Sequence, residues 1–261
     1  MKPGRPIGVF DSGVGGLSIL RALQAELPHE QFVYFADTGH APYGERSEAF
    51  VIERSLAIAQ TLVATHGAKA LVVACNTATA AAITALRAAW PLLPLVGLEP
   101  ALKPAAVLSR TRRIAVLATR ATLASAKFAA LHAGLRQQAE FILQPCDGLA
   151  AAIEAGDAIK TIALSDRYTR GLGSFGSENG QIDTVVLGCT HYPFAAVHLQ
   201  ACVGPAVQLV DTGEPVARQA RRLLEAGGLL LQDGAGSLQL LSTGALADLQ
   251  AAARRWLPSA H

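Results

Sequence analysis

Short apolar runs recur along this chain at residues 7–10, 32–36, 71–74, 95–97, 114–118, 141–143, 184–187 and 208–210. Most carry apolar side chains without alternation, the pattern of strands covered on both faces, as in a parallel sheet. Between them lie Ala- and Leu-rich segments with charges at helical spacing, such as 17–27, 47–65 and 78–89. Strand-like runs that alternate with helical segments predict βαβ units. Pro91 and Pro94 break the chain near one-third of its length, and 171–180 reads as a Gly/Ser-rich loop. The polar turn Gln232-Asp233-Gly234-Ala235-Gly236 precedes a last strand-like run and a final helix.

Two of the runs end in a cysteine with small polar neighbours: Ala74-Cys75-Asn76-Thr77 and Gly188-Cys189-Thr190-His191. They read as a degenerate internal repeat, one copy in each half. The expected fold class is α/β, with two pseudo-symmetric doubly wound domains, mostly parallel sheets, and the active site in the cleft between them. The expected first domain is 1–98 plus 210–261, its C-terminal part folding back, and the second is 99–209. Ligands of open α/β sheets bind beyond the carboxyl ends of the strands. Both thiols are therefore expected to face one crevice.

Three turns share a second pattern: Asp11-Ser12-Gly13, Asp37-Thr38-Gly39 and Asp211-Thr212-Gly213. Asp with Ser or Thr at a strand-to-helix turn supplies an N-cap, and Gly permits the turn. The first copy continues as Gly13-Val14-Gly15-Gly16, a loop that bares backbone N–H groups at a helix start and suits a carboxylate or phosphate. Such triplets also occur in aspartic proteases, but those need a β-rich fold, which the helical segments oppose. His40-Ala41-Pro42-Tyr43-Gly44 is a candidate pocket wall.

Cys75 precedes a predicted helix N-terminus, where a thiolate is stabilised. If Cys75 and Cys189 face one carbon, one as thiolate and the other as thiol, a proton can leave one face and return on the other. Two bland readings stand beside this one. Free cysteines are often inert buried hydrophobes, the reading expected for Cys146 and Cys202. Cys189 and His191 could also share a zinc ion, although neither C-x-x-C nor H-E-x-x-H is present. His191 is otherwise a general acid or a partner for the Cys189 charge.

Composition narrows the class. The 261 residues carry a formal charge of +2 with no basic cluster, so nucleic acid is not expected as a main partner. Four cysteines in so long a chain make no disulfide scaffold and suit a reducing, cytoplasmic setting. The start shows no signal-peptide apolar region. The apolar stretch 70–86 contains Asn76 and is short for a membrane span, so no membrane role is expected. No Walker motif or G-x-G-x-x-G after a strand is found. A pyridoxal enzyme needs a Schiff-base lysine, and Lys69 and Lys103, which flank predicted elements, read as solvated.

Phe10-Asp11-Ser12-Gly13-Val14-Gly15-Gly16-Leu17, Ala36-Asp37-Thr38-Gly39, Pro42-Tyr43-Gly44, Ala74-Cys75-Asn76-Thr77-Ala78, Gly188-Cys189-Thr190-His191-Tyr192-Pro193 and Val210-Asp211-Thr212-Gly213 together resemble the glutamate racemases, nearly end to end and in the same order. That resemblance implies a racemase without cofactor or metal that takes glutamate as its small-molecule substrate and supplies D-glutamate for peptidoglycan. It implies Cys75 and Cys189 as the two acid/base thiols. It also implies Asp11, Ser12, Tyr43, Gly44, Asn76, Thr77, Thr190 and His191 as substrate-binding residues, with Asp11, His191 and Glu154 assisting the thiols. A homodimer is left open. The chain departs from the family pattern at Gln144-Pro145-Cys146-Asp147-Gly148, at Ile153-Glu154 and at Phe128. The alternatives are a racemase of another acidic amino acid, aspartate, and a non-catalytic amino-acid-binding protein.

Overall fold

The computed structural model describes residues 2–257. The chain divides into two compact units, Met1–Leu98 together with Gly213–His261, and Glu99–Thr212. Strands β1 (Ile7–Asp11), β2 (Gln31–Ala36), β3 (Ala70–Val73) and β4 (Leu95–Val96) belong to the first unit. Strands β5 (Arg113–Ala118), β6 (Glu140–Pro145), β7 (Thr184–Gly188) and β8 (Gln208–Val210) belong to the second, and β9 (Ser237–Ser242) returns to the first.

The first sheet has the order β4-β3-β1-β2-β9 and the second β6-β5-β7-β8. Every pairing in both is parallel. Reading β2-β1-β3-β4 against β6-β5-β7-β8 gives the same order in the same chain sequence, with β9 added at one edge of the first sheet. Val210 pairs with Val186, so the whole of β8 lies in the second sheet and the return to the first unit follows it rather than beginning at residue 210.

The unbroken apolar runs are explained by two-sided burial. Along β5, Ile114 and Val116 enter one apolar cluster while Ala115 and Leu117 enter another. Strand β7 divides likewise, Val186 to one side and Val185 and Leu187 to the other. With successive side chains pointing to opposite faces, a strand covered on both faces must be apolar at every position. The helix Asn76–Ala89 lays Ala78, Ala82 and Leu86 on the first sheet at intervals of one helical turn. Among the described residues no helix is long and apolar enough to cross a membrane.

Lys69 departs from its solvated reading. It is fully buried, with Nζ 2.6 Å from Glu30 Oε2. It also donates to the Leu229 carbonyl at 2.8 Å and to the Pro3 carbonyl, while Glu30 Oε1 accepts from the Leu231 N–H at 2.9 Å. The polar pair thus ties the segment before β9 to the N-terminal edge of the first sheet. A position beside a strand cannot reveal this, because every partner but Glu30 is a backbone group far away in sequence. Lys69→Met should destabilise the fold by about 3–5 kcal/mol by leaving Glu30 buried without its counter-charge. Lys69→Met with Glu30→Leu should recover most of that loss in denaturant titration, and equal losses in the single and double variants would refute the pairing.

Candidate active site

In the first unit the polar groups gather at the carboxyl ends of β1, β2 and β3. Asp11 closes β1 and is fully buried, accepting from the N–H groups of Ser12 at 2.7 Å and Gly16 at 2.5 Å. The helix that follows, Leu17–Glu26, is capped by Gly16 and not by Asp11. The carboxylate therefore braces the glycine loop from within and occupies one of the N–H groups expected to be open to an anion. A Cβ on Gly16 would lie 2.7 Å from both Asp11 Cβ and Tyr34 Oη, so only glycine fits there.

Cys75 lies two residues beyond β3 and is 5 % exposed. It is the N-cap of the helix Asn76–Ala89, its Sγ accepting from the Ala78 N–H at 3.4 Å and lying 3.9 Å from Ser12 Oγ. A helix start and a directed N–H both favour negative charge on that sulfur. Asn76 and Thr77 follow in the first turn, both buried. The Asn76 side chain stands out, because its Oδ1 and Nδ2 are buried yet have no hydrogen-bond partner among the described residues. A buried unpaired amide costs about 1–3 kcal/mol per group, a cost that a polar ligand removes.

Asp37, beyond β2, is no simple cap either. Its carboxylate accepts from Arg54 twice, at 2.8 and 3.0 Å, from Tyr43 Oη at 2.6 Å and from Thr243 Oγ1 at 2.8 Å, with His40 Nδ1 at 2.9 Å. Burial alone would raise its pKa, but these hydrogen bonds outweigh it and hold the group below the usual carboxylate range. Tyr43 is buried and, through burial and its bond to Asp37, has its phenol pKa pushed strongly upward. With the hydroxyl committed to Asp37, what Tyr43 and Gly44 can offer a ligand is their main chain.

In the second unit Cys189 follows β7 directly and is 6 % exposed. A Cβ on the preceding Gly188 would meet the Leu117 carbonyl oxygen at 2.9 Å and Ala118 Cβ at 3.0 Å, so glycine lets the strand end lie close against β5. Cys189 Sγ is 3.7 Å from His191 Nδ1, and His191 Nε2 is 2.6 Å from Glu154 Oε2. Thr190, between Cys189 and His191 in sequence, is also buried. Burial of His191 would lower its pKa, but the bonds to Cys189 and Glu154 reverse that and hold it well above the ordinary histidine value. The line Glu154–His191–Cys189 can keep a proton beside the sulfur and stabilise its anion.

Cys75 after β3 and Cys189 after β7 thus occupy equivalent places in two sheets of the same strand order. A family model described as Asp/Glu/Hydantoin racemase matches residues 16–220. The chain belongs to this racemase family. It is 49 % identical over 248 residues to the glutamate racemase of Ectopseudomonas mendocina, covering 94 % of this chain and 92 % of that one. It is equally 49 % identical over 237 residues to the glutamate racemase of Methylococcus capsulatus, covering 90 % and 85 %. Among solved structures, glutamate racemase isoform RacE1 from Bacillus anthracis superposes with a TM-score of 0.84 at 29 % identity, covering 97 % and 93 % of the two chains. Escherichia coli glutamate racemase, in complex with L-glutamate and the activator UDP-MurNAc-ala, gives 0.83 at 31 %, covering 97 % and 95 %.

The other two cysteines of this racemase-family chain behave differently. Cys146 is buried, and burial, with the Cys189 charge adding to it, pushes its thiol pKa up, so it stays protonated. Cys202, expected to be buried, is exposed: its helix Ala196–Val203 buries Leu199 and Val203 instead. Among the described residues no group of three His, Cys, Asp or Glu side chains is arranged to hold a metal ion. Two residues around Asp37 carried no sequence signal, Arg54 within a helical stretch and Thr243 after the last strand.

Proposed function

We propose that this protein interconverts L- and D-glutamate without a cofactor, with Cys75 and Cys189 as the two acid/base groups. The observation that carries the reading is the equivalent placement of the two thiols, each beside a device for stabilising negative charge on sulfur. Racemisation needs a base on one face of Cα and an acid on the other. The thiolate removes the α-proton, the C–H pair remains as a carbanion delocalised into the carboxylate, and the opposing thiol returns a proton to the other face. Each turnover leaves the two sulfurs with exchanged protonation states, ready for the opposite enantiomer.

No electron sink takes part in this reading, so donors around the carboxylate must stabilise the developing charge. Ser12, the Asn76 amide that has no partner among the described residues, Thr77, Thr190 and the main chain of Tyr43 and Gly44 are assigned that task, while His191, assigned to the substrate site, acts on it through Cys189. Asp11 shapes the glycine loop, and Glu154 acts through His191. The substrate is glutamate rather than aspartate on the strength of the relatives, since one methylene alone is weak grounds for discrimination. The product D-glutamate would feed peptidoglycan synthesis in the cytoplasm.

The test is incubation of the purified protein with L-glutamate in D₂O and no added cofactor, followed by chiral chromatography and proton NMR. D-glutamate bearing deuterium at Cα is the expected product. Inversion with the original hydrogen retained throughout would contradict proton transfer through exchangeable thiols. Turnover of aspartate but not glutamate would transfer the mechanism to the shorter substrate, and silence on both would leave a binding protein.

A further inference from the structure

The turn after β9 is hydrogen-bonded to the loop after β2. Thr38 Oγ1 lies 2.8 Å from Ser242 Oγ, the Gly39 N–H donates to Thr243 Oγ1 at 3.0 Å, and Thr243 Oγ1 donates to Asp37 Oδ1 at 2.8 Å. Thr243 N–H donates to the Ala36 carbonyl at 3.1 Å, continuing the β2–β9 pairing one step beyond the strands. Glycine occupies the contact on both sides. A Cβ on Gly39 would stand 3.1 Å from the Thr243 carbonyl oxygen, and a Cβ on Gly244 would stand 2.4 Å from Thr38 Oγ1. Neither glycine has a positive φ, so the constraint is the close approach, tight at Gly39 and closed to a side chain without a shift of Thr38 at Gly244.

The loop held this way runs directly into Tyr43 and Gly44, whose main chain is assigned to the substrate. Asp37 grips the same loop from inside through Tyr43 and His40. Thr243 joins both grips, because a single hydroxyl accepts from Gly39 and donates to Asp37. This arrangement links residues about two hundred positions apart and uses a strand, β9, that the second sheet lacks.

We infer that the C-terminal turn Ser242-Thr243-Gly244 is a positioning element for the substrate loop 38–45, with Thr243 as its central residue. The inference rests on the glutamate reading above for its functional consequence, though not for the contact itself. Thr243 touches no reacting atom in this scheme. Its hydroxyl fixes the loop whose main-chain N–H groups receive the substrate, so its loss weakens binding more than chemistry.

The experiment compares Thr243→Val, Thr243→Ser and Gly244→Ala with the unaltered chain in steady-state kinetics and in amide hydrogen exchange over residues 38–45. Thr243→Val should raise KM for both glutamate enantiomers about three- to tenfold, the scale of one lost hydrogen bond, with kcat within about twofold. Exchange in the loop should quicken. Thr243→Ser keeps the hydroxyl and should restore both readouts, while Gly244→Ala should reproduce the defect by displacing Thr38. Unchanged loop exchange in Thr243→Val overturns the inference whatever the activity. So does quickened exchange with an unchanged KM, because the turn would then hold a loop that does not set substrate affinity. An unaltered chain that fails to racemise glutamate sinks the functional reading instead, and the exchange data still decide whether the turn holds the loop.

Discussion

Replacing either Cys75 or Cys189 with alanine is expected to cut racemisation by about 10³-fold or more, while far-UV circular dichroism stays native. The two enantiomers have equal free energy in water, so the equilibrium constant is one and kcat/KM must fall equally in both directions for each variant. The informative difference is in half-reactions. A variant that keeps one thiol can still lift the proton from the enantiomer that presents its Cα–H to that sulfur. Cys75→Ala and Cys189→Ala should therefore each exchange the α-proton of one enantiomer with D₂O, and of opposite ones, without inversion. If both variants exchange the same enantiomer, or if either racemises normally, the two-thiol scheme fails. Folding should survive both changes. Cys75→Ala removes an N-cap acceptor from Ala78, a loss of about 0.5–2 kcal/mol, and Cys189→Ala removes one sulfur from an apolar cluster.

His191→Asn is expected to lower kcat by about 10²-fold or more, and its pH profile should show why. His191 is held in its protonated form to a higher pH than an ordinary histidine, because its bonds to Cys189 and Glu154 outweigh burial. A group whose pKa is raised keeps its proton as pH climbs and gives it up only above the usual histidine range, so activity that needs the imidazolium persists through neutrality and falls on the alkaline side. That alkaline limb reports the His191 imidazolium. In Glu154→Gln the neutral amide still reaches Nε2 but no longer favours the charged ring, so the limb should move to lower pH with a smaller loss of rate. A limb that stays in place in Glu154→Gln would remove Glu154 from the proton line. In His191→Asn the limb should vanish.

The strands were readable almost residue by residue, because two-sided burial writes a continuous apolar run: 114–118 predicts β5 (Arg113–Ala118) and 208–210 matches β8 (Gln208–Val210). The places of both cysteines were readable for a related reason, since each ends such a run, just beyond β3 and β7. Ends and edges were less clear. The helical stretch 47–65 becomes the helix Glu48–Gln60 followed by a wider turn, Thr61–Thr65. The Asp-Ser/Thr-Gly triplets predicted caps, yet Asp11 braces a glycine loop and Asp37 gathers Arg54, Tyr43, His40 and Thr243. A short polar side chain at a turn has the same local chemistry whether it caps a helix or anchors a loop. Which it does depends on the donors that the fold delivers.

The amino-acid sequence by itself determined the α/β class and the repeated strand–cysteine ends, since both are written in neighbouring residues whose spacing has a direct physical meaning, and its motifs carried the resemblance to the family. Tertiary structure alone decided that Lys69 is buried against Glu30, that the Tyr43 hydroxyl is spent on Asp37, that the Asn76 amide has no partner among the described residues, and that Thr243 clasps the loop after β2. Three of these are pairings, and the Asn76 amide lacks one among the described residues. Except for Tyr43 and Asp37, the groups concerned lie far apart in sequence, and no local period records a partner that arrives only when distant strands have closed into one sheet.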